Sequence, residues 1–89
     1  MAAVFPLRIV TPTGCAYDGT AYSLTIRSID GYVAIMPGHV PYVTALGTGE
    51  CRVVMEQGVE PRKANCSGGI LSVNKEGVCV AATTFSWVD

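Results

Sequence analysis

The sequence predicts an all-β fold, either a sandwich or a small barrel, from three features. Apolar and polar side chains alternate with a period of two in segments such as Tyr22–Arg27, as in strands that are buried on one face. Turn-forming pairs such as Asp18-Gly19 and Asp30-Gly31 interrupt these segments every ~8–12 residues or closer. The ten glycines and five prolines leave no long segment with a helical apolar stripe. Many short strands joined by frequent turns are typical of sandwiches and small barrels.

The individual strands follow from the same pattern, in chain order. Leu7 and Ile9 flank Arg8, and near the end Val78 and Val80 alternate with Cys79. One segment is continuously apolar, as expected of a strand covered on both faces, and it lies between Gly31 and Pro37. We therefore predict strands at Leu7–Thr11, Cys15–Tyr17, Tyr22–Ser28, Tyr32–Met36, Tyr42–Leu46, Cys51–Gln57, Arg62–Cys66, Ile70–Val73 and Val78–Thr84.

Length and composition indicate one folded domain, residues 1–89. A chain of this size buries only about 60% of its unfolded surface, so its core is thin. Apolar residues make up 49% of the chain and charged residues 15%, which is a folded composition with little charge to spare for solubility. We expect partners to cover part of its surface.

Charge and hydropathy exclude several classes of function. The net charge is -1 with no run of like charges, so the basic footprint of a nucleic-acid binder is absent. No apolar segment approaches the roughly 20 residues that span a bilayer, and we expect no direct membrane insertion. Residues Met1–Val10 lack the basic lead segment of a signal peptide, which favours a cytoplasmic location.

Few residues offer chemistry. His39 is the only histidine, and a lone histidine lacks the partners of a catalytic triad or a metal site. The segment Ser67-Gly68-Gly69 lacks the Lys-Ser/Thr that completes a phosphate-binding loop, and its glycines are expected to relieve crowding between sheets or to form a bulge. The carboxylates are scattered beside turns. We expect no catalytic residue, cofactor or metal.

Four cysteines, Cys15, Cys51, Cys66 and Cys79, are spaced without any Cys-x-x-Cys pair. Such spacing argues against a zinc site, and nothing in the sequence indicates the secretory context of a disulfide-bonded protein. The four are expected to be reduced thiols, mostly buried, that pack as small apolar residues.

Two alternative functions remain open from the residues. Lys75 lies in the expected hairpin turn Asn74–Gly77, and lipoyl and biotinyl carrier domains are all-β proteins that present one modified lysine at a hairpin tip. The neighbours Asn74 and Glu76 differ from the usual surroundings of that lysine. A small enzyme built around His39 is the other alternative.

Four segments together resemble the epsilon subunit of the F-type ATP synthases. The segment Gly31–Pro41 is similar to a family signature, a glycine-led strand followed by a Pro-Gly-His turn and a further proline. The segments Ser67–Val73 and Val78–Thr83 are similar to the family's Ser-Gly-Gly strand and closing strand, and Leu7–Pro12 to its first strand. These matches span the whole chain in one order, which makes them more specific than any single motif.

The resemblance implies a flattened ten-stranded β-sandwich of two sheets and a non-catalytic subunit of the central stalk. In the family, this domain clamps the gamma subunit and rests on the c-ring, coupling ring rotation to ATP synthesis, peripheral to the cytoplasmic face of the membrane. By residue, Asp30, Tyr32 and His39 would meet the c-ring and the foot of gamma, and Thr11 and Thr44 would face gamma.

The chain departs from the family at Tyr32, at Ala34, where glycine is common and only local packing is expected to change, and at its C-terminal end. Tyr32 stands where the family often has an acidic residue, so stacking or packing is expected to replace a charge pair with the ring. Val88-Asp89 resembles the opening of a C-terminal helical hairpin, after which the chain stops. We therefore expect no ATP binding by this domain alone and no inhibition by hairpin extension.

Overall fold

The structure, a computed structural model, describes residues 4–38 and 41–88, and the regular elements of this part of the chain are all strands. The all-β prediction is confirmed. The strands are β1 (Phe5–Thr11), β2 (Gly14–Ala21), β3 (Ser23–Ser28), β4 (Gly31–Ile35), β5 (Tyr42–Ala45), β6 (Thr48–Val54), β7 (Arg62–Asn74) and β8 (Gly77–Trp87).

The eight strands form one hydrogen-bonded sheet in the order β2-β1-β8-β7-β6-β3-β4, with β5 paired to β7. Neighbours are antiparallel except β1 and β8, which run parallel from Leu7↔Val78 to Val10↔Ala81. The long strand β7 pairs with β8 from Ala64 to Asn74 on one side. On its other side it pairs first with β6 and then with β5.

This single sheet is folded into two layers around one core. The buried side chains of β1, at one end of the strand order, belong to the same apolar cluster as those of β3, near the other end. The first layer consists of β1, β2 and β5 together with the half of the β7–β8 hairpin that contains its turn. The second layer consists of β3, β4 and β6 together with the other half of that hairpin.

The expectation of ten strands in two sheets is therefore wrong in number and in connectivity. The segments predicted as two strands, Arg62–Cys66 and Ile70–Val73, are parts of the one strand β7, which continues through Gly68-Gly69 without losing its register to β8. The expectation that β4 is covered on both faces is also wrong, because this strand ends the sheet and leaves Tyr32 58% exposed.

Gly68 and Gly69 allow one hairpin to contribute buried side chains to both layers. Both have positive φ, +68° and +109°, which L side chains rarely adopt. The buried residues of β7 are at even positions before the glycines, Ala64 and Cys66, and at odd positions after them, Leu71 and Val73. The strand therefore buries one face before the glycines and the opposite face after them. A Cβ on Gly69 would lie 1.9 Å from the carbonyl oxygen of Ala81, so only glycine fits. The expectation that these glycines relieve crowding between two sheets or form a bulge is wrong, because the close neighbour is the paired strand β8 of the same sheet and the register is unbroken.

An aromatic cluster closes one end of the sandwich. Trp87 packs edge-on against Phe85, at 5.0 Å between ring centroids, and against Tyr17, at 6.2 Å. Its indole N–H donates to the carbonyl oxygen of Ala16 in β2, at 3.4 Å. The guanidinium of Arg62 lies over the Trp87 ring, 4.0 Å from the ring centroid. The end of β8 is thereby fixed to β2 across the core.

Substituting Gly69 with alanine is expected to cost at least about 3 kcal/mol of unfolding free energy, because overpacking against Ala81 adds to backbone strain. Gly58 is a matched control, since it also has positive φ, +86°, but a methyl group there would meet no atom within 4 Å. Gly58→Ala is expected to cost only about 1 kcal/mol of strain. Urea unfolding followed by tryptophan fluorescence measures both; equal losses would contradict the close approach.

Candidate partner-binding surface

The outer face of the first layer carries a row of apolar side chains that crosses four strands. Val10 pairs with Ala81, Ala81 with Ile70, and Ile70 with Ala45. Directly paired residues point to the same face, so these four side chains stand side by side. Ile70 is 53% exposed, and Val43, two residues before Ala45 on the same face, is 68% exposed. We call these five residues the apolar row.

The apolar row contains no charged side chain, and adjacent strands lie about 4.8 Å apart, so its paired positions span roughly 15 Å. Isolated exposed apolar residues are ordinary, but a contiguous group on a small domain usually marks a surface that a partner covers.

The outer face of the second layer is different in character. It presents Arg27, Arg52 and Lys63 together with Glu50, and hydroxyl side chains such as Thr48. Nε of Arg52 donates to the Glu50 carboxylate, and this hydrogen bond lowers the pKa of Glu50. The two outer faces therefore differ: the first carries the apolar row with the paired Arg8 and Asp18 beside it, and the second is mostly charged and polar.

The turn between β3 and β4 is held closed from within. The buried Ser28 hydroxyl donates to the carbonyl oxygen of Gly31, at 2.8 Å, and accepts from the backbone N–H of Asp30, at 3.2 Å. The backbone N–H of Ile29 donates to the carbonyl oxygen of Ala45, at 3.1 Å, which ties the turn to the apolar row. Ile29, at the tip, is 66% exposed. The turn is a stiff projection with an apolar tip.

Three of the predicted site residues are next to the apolar row, or to the turn hydrogen-bonded to it, although they are distant from one another in sequence. Thr11 follows Val10 at one end of the apolar row, and Asp30 follows Ile29 at the other. Thr44 precedes Ala45, but its side chain lies on the core side of β5, opposite the buried Leu71. The Thr11 hydroxyl also serves its own turn, donating to the carbonyl oxygen of Gly14 at 3.2 Å.

Tyr32 lies at the start of β4, on the outer face of the second layer. Its ring is opposite Arg27, whose guanidinium carbon is 5.4 Å from the ring centroid. His39, the remaining predicted contact, lies outside the described residues.

Sequence reasoning missed the apolar row itself. Each member belongs to a different part of the chain, and the alternation pattern cannot tell which apolar residues of a strand face outward. Apolar residues at the positions of a strand that point outward could have revealed it. Ile70, immediately before the buried Leu71, is an example.

A family model described as "ATP synthase, Delta/Epsilon chain, beta-sandwich domain" matches residues 4–88. The chain belongs to this family. The resemblance drawn from the sequence is thereby confirmed, and the alternative of a lipoyl or biotinyl carrier is not supported. Lys75 does lie in the β7–β8 turn, where the Asn74 side chain accepts from the backbone N–H of Glu76 and of Gly77.

Relatives within this family include the ATP synthase epsilon chains of Caldicellulosiruptor saccharolyticus and Ruminococcus albus. The first is 34% identical over 85 residues, 96% of this chain and 61% of the relative. The second is 34% identical over 88 residues, 98% of this chain and 64% of the relative. The chain thus spans less than two-thirds of the length of these relatives.

Solved structures support the fold. The chain is similar to one in the cryo-EM structure of the Euglena gracilis mitochondrial ATP synthase, with a TM-score of 0.85, 22% identity, and coverage of 100% of this chain and 57% of that one. It is also similar to one in the central stalk and c-ring of the Tetrahymena thermophila enzyme, with a TM-score of 0.73, 13% identity, and coverage of 90% and 63%.

Within the described part of the chain, no group of histidine, cysteine and carboxylate side chains is arranged to hold a metal ion. Nor does any helix in residues 4–38 and 41–88 have the length and apolarity to cross a bilayer.

The cysteines are free thiols in differing surroundings. Cys51 and Cys66 are buried, Cys79 is half-buried, and Cys15 is exposed, contrary to the expectation that most would be buried. Burial raises the pKa of the Cys51 thiol from 9.0 to about 12, with smaller contributions from Cys66 and Glu50. Burial also raises the pKa of Cys66. Both buried thiols act as apolar core residues at neutral pH.

The Cys51 thiol makes stability fall in alkali. The unfolded chain ionises this thiol near pH 9, whereas the folded chain keeps it neutral up to about pH 12. The contribution of this thiol to the unfolding free energy is therefore fully present below pH 9 and is lost as the pH rises toward 12. Between about pH 8 and 10.5 the loss is of order 1–2 kcal/mol.

Cys51→Ala is expected to reduce the loss of unfolding free energy as the pH rises. The matched variant Cys15→Ala, at an exposed thiol, is expected to leave that loss unchanged. Urea unfolding at a series of pH values measures how steeply the unfolding free energy falls with pH. The cavity left by Cys51→Ala lowers the unfolding free energy equally at every pH, so it does not affect this slope. Parallel pH profiles for the two variants would contradict the assignment to Cys51.

Proposed function

We propose that this chain is a non-catalytic rotor part of an F-type ATP synthase, which joins the gamma subunit to the c-ring. The apolar row is the observation that carries this proposal, because it gives the outer face of the first layer a contiguous set of apolar side chains that a partner can cover. The protein would lie at the cytoplasmic face of the membrane, peripheral to the lipid, and would transmit rotation during proton-driven ATP synthesis.

The contrast between the outer faces supports a one-sided contact with gamma. The charged outer face of the second layer is well suited to water, while Ile70 and Val43 are 53% and 68% exposed on the other. Burying apolar surface contributes about 25 cal/mol per Å², so covering the apolar row favours association. Thr11 and Thr44 are next to this row in sequence, on β1 and β5, although the Thr44 side chain lies on the core side of its strand.

The turn between β3 and β4 is proposed to meet the c-ring and the foot of gamma. Asp30, Tyr32 and His39 are the residues assigned to this contact, and Ile29 adds an exposed apolar tip. The internal hydrogen bonds of Ser28 make the projection stiff. Stiffness suits a coupling element, since a flexible contact would absorb twist instead of transmitting it.

The proposal predicts that a charge in the apolar row disrupts binding to gamma. Ile70→Lys places an ammonium group in the middle of the row, where covering it would cost desolvation energy. Asn65→Lys is the matched control, because Asn65 lies exposed on the same strand but on the outer face of the second layer. We expect Ile70→Lys to weaken binding at least about tenfold and Asn65→Lys to change it less than about threefold.

Titration calorimetry of the purified chain against gamma at moderate salt measures both effects. A circular dichroism spectrum and a urea midpoint close to those of the native chain establish that Ile70→Lys remains folded. Failure of the native chain to bind gamma would contradict the proposed function. Equal affinities of the two variants would instead exclude the apolar row as the contact.

A further inference from the structure

The outer face of the second layer contains a cleft between strands β3, β4 and β6. Its volume is about 320 Å³, and its lining consists of Thr25, Tyr32, Glu50 and Arg52. Thr25 is directly opposite Ala34 in β4 and Arg52 in β6. Because the side chains of Thr25 and Ala34 are short and those around them are long, the cleft has a low floor with raised sides. Its volume is at the lower end of the range for small-molecule sites.

Hydrogen-bond donors without a full set of partners surround this cleft. The hydroxyls of Thr25 and Tyr32 have no hydrogen-bond partner among residues 4–38 and 41–88. The guanidinium carbon of Arg27 lies 5.4 Å from the centroid of the Tyr32 ring, and such stacking leaves the N–H donors in the guanidinium plane free. Arg52 donates through Nε to Glu50, which leaves the other donors of its guanidinium for a ligand.

The charge around the cleft is positive in a chain that is acidic elsewhere. The outer face of the second layer carries Arg27, Arg52 and Lys63 with one carboxylate, Glu50, whereas the rest of the chain has three basic and six acidic residues. Arg52 and Lys63 are directly opposite each other, and like charges in that position are destabilising. An anion held in the cleft would offset this repulsion.

We propose that this cleft binds inorganic phosphate. A tetrahedral oxyanion has several acceptor oxygens, which suits donors that approach from two arginines and two hydroxyls in different directions. Glu50 supplies the selectivity. The hydrogen bond from Arg52 lowers the pKa of Glu50, so its carboxylate is ionised at neutral pH and only accepts hydrogen bonds. It therefore favours an oxyanion that keeps a proton to donate and repels one that has none.

The proton on the ligand separates inorganic phosphate from similar anions. Inorganic phosphate keeps one proton throughout the neutral and mildly alkaline range, whereas sulfate has none. A phosphate monoester loses its last proton with a pKa of about 6. Of these three anions, only inorganic phosphate donates to Glu50 above neutral pH while it accepts from the arginines. This inference concerns a different face from the apolar row and does not depend on the proposed function.

The experiment is an NMR titration of the isotope-labelled chain with sodium phosphate at about pH 7.5 and constant ionic strength. We expect the amide signals of Thr25, Tyr32 and Arg52 to shift along one saturable curve. Sulfate and glycerol phosphate are expected to bind at least about tenfold more weakly, because each leaves the Glu50 carboxylate facing an oxygen without a proton. At about pH 5.5 the monoester regains its proton, and we expect its affinity to approach that of phosphate.

Three variants test the individual groups. Arg52→Gln is expected to weaken phosphate binding at least about tenfold, because it removes a charged donor from the cleft. Arg8→Gln is the matched control, since it removes the same charge from an exposed position in β1, and it is expected to change binding less than about threefold. Glu50→Gln is expected to abolish the preference for phosphate over sulfate, because an amide both donates and accepts.

Urea midpoints establish that each variant remains folded, and Arg27→Gln replaces Arg52→Gln if the latter does not fold. Equal losses for Arg52→Gln and the control Arg8→Gln would indicate general electrostatic attraction and would overturn the inference. Equal affinity of the native chain for phosphate and sulfate would leave an adventitious anion site only. Shifts that do not saturate, or that lie outside the cleft, would exclude the site altogether.

Discussion

The close approach of Gly69 to the backbone of Ala81 is the constraint on which the rest of this fold depends. It lets the β7–β8 hairpin change its buried side midway, so that one hairpin contributes core residues to both layers. Two layers then enclose a thin core that a single open sheet of this length would leave exposed on one face. The two unlike outer faces are a consequence, because each layer presents its own outward side chains to its surroundings.

The sequence was sufficient for the parts of the fold that depend on local pattern. Alternation along Tyr22–Arg27 identified β3, and the turn chemistry of Asn74–Gly77 identified the hairpin, because neighbouring residues determine both. It failed at Gly68-Gly69, where paired glycines usually end a strand. Only the pairing of β7 with β8 on both sides of these glycines shows why the strand continues. Such pairing is not visible in a local window.

The candidate surface was predictable to a smaller extent. Resemblance to the family selected Thr11, Asp30, Tyr32, His39 and Thr44, and the structure brings Thr11, Thr44 and the β3–β4 turn next to one apolar row. The row depends on strand order, because Val10, Ala45, Ile70 and Ala81 become neighbours only after four strands pair. The contact between Arg27 and Tyr32 likewise lies against Gly49, a residue distant in sequence whose identity gives no indication of that contact.

The parallel pairing of β1 with β8 bears on how the polypeptide matures on the ribosome. Strand β1, Phe5–Thr11, emerges early and pairs on one edge with β2, but it finds its other neighbour only when Gly77–Trp87 has been synthesised. Until then β1 has no strand on its second edge, and that exposed edge is open to unwanted pairing. Folding of the first layer therefore waits for β8 to leave the ribosome, and the nascent chain must keep β1 from mispairing during that interval.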